Sequence, residues 1–178
     1  MSEHISPLIT YYQHGWERYQ RAIIASVTQL SSEQLALPVA PHYVSIGDLL
    51  AHMIDARVAW LGGWLGEALP DVTHWEEERA PQDAGGSTRY KAAALVAQFE
   101  QTWRVIATAM PRWTAPELEQ LVAPPAAHQA WLRSRGEDEE PPHTRQWIVW
   151  HVMEHEIHHG GELSLALGAY GLDSFYTW

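Results

Sequence analysis

The sequence predicts an all-α fold, a four-helix bundle with long connections, on three observations. Apolar residues recur at three- and four-residue steps in four long segments, no segment alternates apolar and polar residues as a half-buried strand would, and stretches rich in Gly, Pro and acids separate the long segments. The 178 residues suffice for one domain with a real core, taken as 1–178.

The first helix opens at Ser6-Pro7, an N-cap followed by a first-turn proline. It runs to about Leu30 with Leu8, Tyr12, Tyr19, Ile23, Val27 and Leu30 on one face. Ser31 to Leu37 makes one short turn before Pro38. Ser45-Ile-Gly-Asp48 is a capping-box pattern, and it opens a second helix carrying Ile46, Leu49, Leu50, Met53, Trp60, Leu61 and Trp64. Residues 66–87, with the run Glu76-Glu77-Glu78, read as a long connection with a solvated charge cluster. The third helix spans about Thr88 to Met110 on Phe99, Trp103, Ile106 and Met110, and Pro111 ends it. Thr114 to Glu117 starts a short helix, and 122–143, with two Pro-Pro pairs, reads as irregular. The fourth helix starts near Thr144 and ends around Gly168 or Gly171.

Composition excludes several classes of function. No run of about 18 apolar residues and no basic, apolar N-terminal leader pattern is present, so the expectation is a cytoplasmic protein with no membrane partner. The chain has no cysteine, which removes disulfides, thiolate ligands and a cysteine nucleophile. Histidine and carboxylate remain as strong metal ligands. A net charge of -11 with scattered Lys and Arg opposes a phosphate backbone, so no nucleic-acid partner is expected. Several of the ten tryptophans fall at helical spacing, so they read as filling and rimming the core rather than as a stacking platform.

The chemistry concentrates in His151-Val-Met-Glu-His155-Glu-Ile-His158-His159-Gly-Gly-Glu-Leu163. At about 100° per residue, the face centred between Ile148 and Val152 also holds His155, His159, Leu163, Ala166 and Tyr170. The four-residue spacing puts His155 and His159 one turn apart, able to converge on one ion. The alternative is a pair of satisfied core histidines. On the same wheel His151 and His158 lie toward the side with Trp147, and Glu154 lies further out.

His155-Glu156-Ile-His158-His159 also spells H-E-x-x-H, in which two histidines bind zinc and the glutamate is general base. A zincin-type metalloprotease needs a third ligand, and the longer motif would want Gly at 162 and His at 165, where this chain has Glu162 and Leu165. A di-iron bundle needs two Glu-x-x-His pairs. Besides Glu156 to His159 the chain offers only Glu140-Pro-Pro-His143, which cannot be helix interior.

Taken with Ser45-Ile-Gly-Asp-Leu-Leu-Ala-His52-Met-Ile-Asp-Ala-Arg-Val-Ala-Trp60-Leu, this final helix resembles the DinB/YfiT-like superfamily of metal-binding four-helix bundles. The resemblance covers the chain from the first helix to Gly171. It implies a three-histidine metal site of His52, His155 and His159; without it, His52 reads as a rim residue beside Ala56 and Ala59. The commonest family form after the double histidine is Arg-Gly-Gln, where this chain has Gly160-Gly161-Glu162. The resemblance further implies a homodimer and a metal-dependent enzyme of small-molecule chemistry, since relatives include thiol-dependent S-transferases and a thiol-dependent isomerase. Such an enzyme would be a transferase or hydrolase whose nucleophile is metal-bound water or a thiolate from a low-molecular-weight thiol cosubstrate. Zinc is the first expected metal, with nickel, iron or manganese compatible with the same donors. Glu156, Asp55 and Glu162 are near enough along their helices to orient an imidazole N–H, and each reads equally as a surface carboxylate. The alternative function is a non-catalytic, metal-stabilised bundle that binds a small ligand or protein partner. A pocket lined by Trp60, Trp64, Trp147 or Tyr12 would favour the enzyme. A fourth ligand from Glu162 or His14 would favour the structural role.

Overall fold

Four long helices make the bundle in the computed structural model, which describes residues 7–69 and 90–175. They are α1 (Pro7–Thr28), α3 (Ile46–Arg57, continued by a π-helical stretch Val58–Trp64), α4 (Ala92–Ala109) and α7 (Arg145–Ala169). Short helices α2 (Ser32–Leu35), α5 (Ala115–Leu118) and α6 (Ala126–Ser134) lie in the connections. Among the described residues no helix is long and apolar enough to cross a membrane.

The helix starts follow their caps. Ser45 Oγ accepts from the Asp48 amide and the Asp48 side chain reaches back to the Ser45 amide, so two otherwise unpaired N–H groups are closed at the start of α3. Thr144 caps α7 by accepting from the Trp147 amide. Past the end of α7, Gly171 takes the left-handed conformation, φ 67°, that a β-carbon would disfavour.

Two sequence expectations are corrected. The segment 122–143, read as irregular, contains the nine-residue helix α6. Its two ends are tied by a small antiparallel ladder that pairs Leu121 with Thr144 and Val122 with His143. Pro124-Pro125 does not break this helix, because a proline just before the first turn lacks only an N–H that the helix would not have used. A two-residue strand is too short to show alternation, which is why none was expected. The third helix, expected from Thr88, is seen as α4 from Ala92, and residues 88–89 lie outside the described part of the chain. The Glu76-Glu77-Glu78 run also lies outside it.

The core is two apolar clusters. One gathers Ile23 and Val27 of α1, Leu49, Leu50, Met53 and Ile54 of α3, Leu95 and Phe99 of α4, and Leu163 and Leu167 of α7. The other gathers Trp16, Leu61, Val105, Ile106, Met110 and Val152. On every long helix a buried polar residue sits between the two sets: Gln20 on α1, Arg57 on α3, Thr102 on α4 and Glu156 on α7.

Candidate metal centre

α3 and α7 pack against each other and bring His52 to His155 and His159. One ring nitrogen from each lies within 4.8 Å of the other two. His52 Nε2 and His155 Nε2 stand 3.0 Å apart, and the His155 and His159 rings meet at 4.4 Å between centroids. The pairing read from the four-residue spacing is therefore present, and His52 joins it from the neighbouring helix. His159 is 9% exposed, His155 is half-buried and His52 faces solvent.

Electrostatics at His155 and His52 favour neutral rings. Burial, then the neighbouring imidazoles of His159 and His52, pulls the His155 pKa down from 6.5 to about 3. His52 is lowered as well, first by burial and then by His159, while the Asp55 and Glu162 carboxylates act the other way. His155 Nδ1 is buried and has no hydrogen-bond partner among the described residues. His159 Nδ1 lies 2.7 Å from Glu162 Oε2. A carboxylate accepting from Nδ1–H fixes the tautomer and leaves the other nitrogen's lone pair free, the arrangement found behind metal-ligating histidines. These donors fit a divalent cation that accepts imidazole.

Glu156, offered from sequence as a general base, an imidazole partner or a surface carboxylate, is none of these. It is 0% exposed and is held by Arg57, also 0% exposed, through Nε to Oε1 at 2.5 Å and Nη2 to Oε2 at 2.8 Å. Trp16 Nε1 donates to Oε2 at 2.8 Å. With its oxygens engaged by these three donors, Glu156 cannot take a proton from water at a metal, so the zincin reading has no base to match its motif. Helical phase explains the surprise. The buried line of α7 runs Ile148, Val152, Glu156, His159, Leu163, so Glu156 occupies the inward position expected for His155, and Tyr170, also expected inward, is 42% exposed. A wheel that counts glutamate as polar cannot see a partner on another helix.

Arg57, Gln20, Thr102 and Trp16 were all missed, although a signal existed. Leu50, Ile54, Arg57 and Leu61 follow three- and four-residue steps, as do Trp16, Gln20 and Ile23, so polar residues stood on apolar stripes. Gly160, where the family form has arginine, lies under Tyr19, whose hydroxyl contacts the carbonyls of Glu156 and Ile157 at 3.3 Å each. A β-carbon at 160 would overlap that hydroxyl, so an arginine there would require Tyr19 to move.

The residues named as pocket walls separate. Trp147 stacks between His143 and His151, at 3.6 and 5.0 Å, and Trp60 meets His151 edge-on at 4.7 Å and stacks on Trp64. This wall of rings runs up to the triad, with His151 6.3 Å from His155. Tyr12 instead lines a cavity of about 300 Å³ with Trp16, Met110, Trp113, Val149 and Met153, and no triad residue lines it. Neither Glu162 nor His14 joins the three-histidine group among the described residues, and His158, expected at the rim, has a side chain 63% exposed.

The sequence model of the DinB family matches residues 1–177, and the chain belongs to that family. Two solved structures are similar to it. One, a DinB-like protein from Bacillus cereus ATCC 10987, is 13% identical with a TM-score of 0.63, over 94% of this chain and 95% of that one. The other, a conserved protein from Enterococcus faecalis, is 13% identical with a TM-score of 0.65, over 89% of this chain and 96% of that one. At such identity the likeness speaks to the fold. No functionally curated protein matches the chain in sequence.

Proposed function

We propose that this DinB-family chain is a metal-dependent enzyme of small-molecule chemistry, a thiol-dependent S-transferase or a hydrolase. In this reading His52, His155 and His159 hold a divalent cation. Zinc is the first choice, and nickel, iron and manganese suit the same nitrogen donors. The observation that carries the reading is the convergence of three imidazoles from two helices on one point, with no fourth protein ligand among the described residues. When bound, such a cation supplies Lewis acidity that makes water or a thiol a nucleophile near neutral pH.

The chain's own residues have separate tasks. Glu162 holds the His159 tautomer by accepting from Nδ1–H. Burial keeps His155 unprotonated at neutral pH, so one ring nitrogen keeps its lone pair available. The exposed position of His52 leaves the triad open on its solvent side to a small substrate. With no cysteine in the chain, any thiol comes from solution as a cosubstrate. The proposal extends to a cytoplasmic homodimer with no nucleic-acid or membrane partner.

A second reading, a metal-stabilised bundle without catalysis, is favoured by one observation: the cavity of about 300 Å³ does not open on the triad. Zinc-loaded protein assayed with low-molecular-weight thiols and an aryl halide, and separately with an activated ester, decides between them. Turnover that requires metal and disappears in His155→Ala supports the enzyme. Metal binding with no turnover in either assay leaves the structural role.

A further inference from the structure

Between the two apolar clusters, all five hydrogen-bonding positions of the Arg57 guanidinium are engaged. Nε and Nη2 grip Glu156, Nη2 also donates to Gln20 Oε1 at 2.5 Å, and Nη1 donates to the Phe99 carbonyl and Thr102 Oγ1 at 3.0 Å each. Gln20 Nε2 donates to the same Phe99 carbonyl at 2.9 Å. With Trp16 on Glu156, one network joins α1, α3, α4 and α7, the four long helices of the bundle.

Stability alone does not account for it. A buried ion pair gains little over well-packed apolar residues of the same size, because desolvation consumes the attraction. What a bidentate pair adds is geometry: the planar fork accepts a carboxylate in one orientation. Apolar faces, by contrast, tolerate sliding and rotation at small cost. The pair's place on the helices gives that geometry a use. Arg57 follows His52 by five residues, about 7.5 Å of helix axis, and Glu156 lies between His155 and His159.

We propose that the Arg57–Glu156 pair is the positioning element of the triad, setting the register and rotation of α3 against α7 so that His52 meets His155 and His159. This rests on the metal reading above. Neither Arg57 nor Glu156 touches the reacting atoms; they act through the helices that carry the ligands. Coordination geometry is demanding on the scale of about 0.2 Å, so a small slip costs affinity even in a well-folded bundle.

The test is a Co2+ titration of the full-length protein, read by the metal's visible absorption spectrum and by apo-protein melting. Arg57→Met/Glu156→Leu replaces the pair with apolar side chains. The expected result is a melting point near wild type, with Co2+ affinity lowered about 10- to 100-fold and an altered spectrum. Wild-type affinity and spectrum in the folded double variant would overturn the positioning role while leaving the metal site intact. A wild-type protein that binds no Co2+ would overturn both. If the double variant does not fold, Trp16→Phe decides, since it deletes one donor to Glu156 and keeps both charges. A several-fold loss of Co2+ affinity supports the proposal there, and affinity and spectrum identical to wild type overturn it.

Discussion

Two polar clusters lie side by side on α7 and meet burial in opposite ways. Around Glu156 every strong donor has an acceptor: two charges cancel, and Trp16, Gln20, Thr102 and a carbonyl take up what remains. One residue earlier, His155 turns Nε2 toward another imidazole nitrogen and buries Nδ1 with no partner among the described residues. The first cluster is complete as folded. The second brings imidazole nitrogens to 3.0 Å of one another and leaves one buried ring nitrogen without a partner among the described residues, which costs free energy. A satisfied network is architecture; the unpartnered nitrogen beside it lies in the cluster proposed above to hold the cation.

The sharpest way to break this contrast is to unbalance the complete side. Glu156→Ala or Arg57→Ala leaves one buried charge alone and is expected to cost about 3–5 kcal/mol of stability. In a chain of this size that lowers the melting temperature by about 10 °C. Thermal unfolding of the apo protein measures it, and a loss under 1 °C would mean that the pair is not buried as described.

Acid probes the incomplete side. The folded pKa of His155 lies far below its ordinary 6.5, so protonation opposes the folded state. Its neutral contribution is complete above about pH 6.5 and is lost progressively as pH falls toward about 3. His52, also lowered, adds to the same trend. In the proposed metal-bound state protons also compete with the cation for the imidazoles, so the expected outcome is apo stability that falls below pH 6.5 and metal release that is complete as pH nears about 3, followed by urea unfolding and metal analysis across a pH series. Metal retained well below pH 3 would contradict three imidazole ligands.

Smaller effects refine the boundary between the clusters. Glu162→Gln removes the carboxylate on His159 Nδ1, and metal affinity is expected to drop about 10-fold or more with little change in apo stability. His158→Ala removes an exposed ring that lies outside the triad. Metal content should not change, and a variant stripped of metal would mean that the three ligands are wrongly chosen.

Much of this was legible in the sequence, for stated reasons. Helical periodicity, the Ser45 capping box and the prolines placed the four long helices, because those signals are local. His155 and His159 came from their spacing, while His52 needed the family resemblance, since an exposed rim position carries no helical signal of its own. Glu156 was misplaced because its burial depends on Arg57, 99 residues away in the chain. The Arg57 partners were visible only as polar residues on apolar stripes, a pattern that makes sense once the four helices are assembled. The short ladder of Leu121–Val122 with His143–Thr144 left no trace, being too short for any period.

The most direct test of the account is the metal content of the purified, untagged protein beside His52→Ala, by elemental analysis at neutral pH. The account predicts about one equivalent of divalent metal in the wild type and none in the variant, with both chains folded. Metal absent from the wild type, or retained without His52, would contradict it.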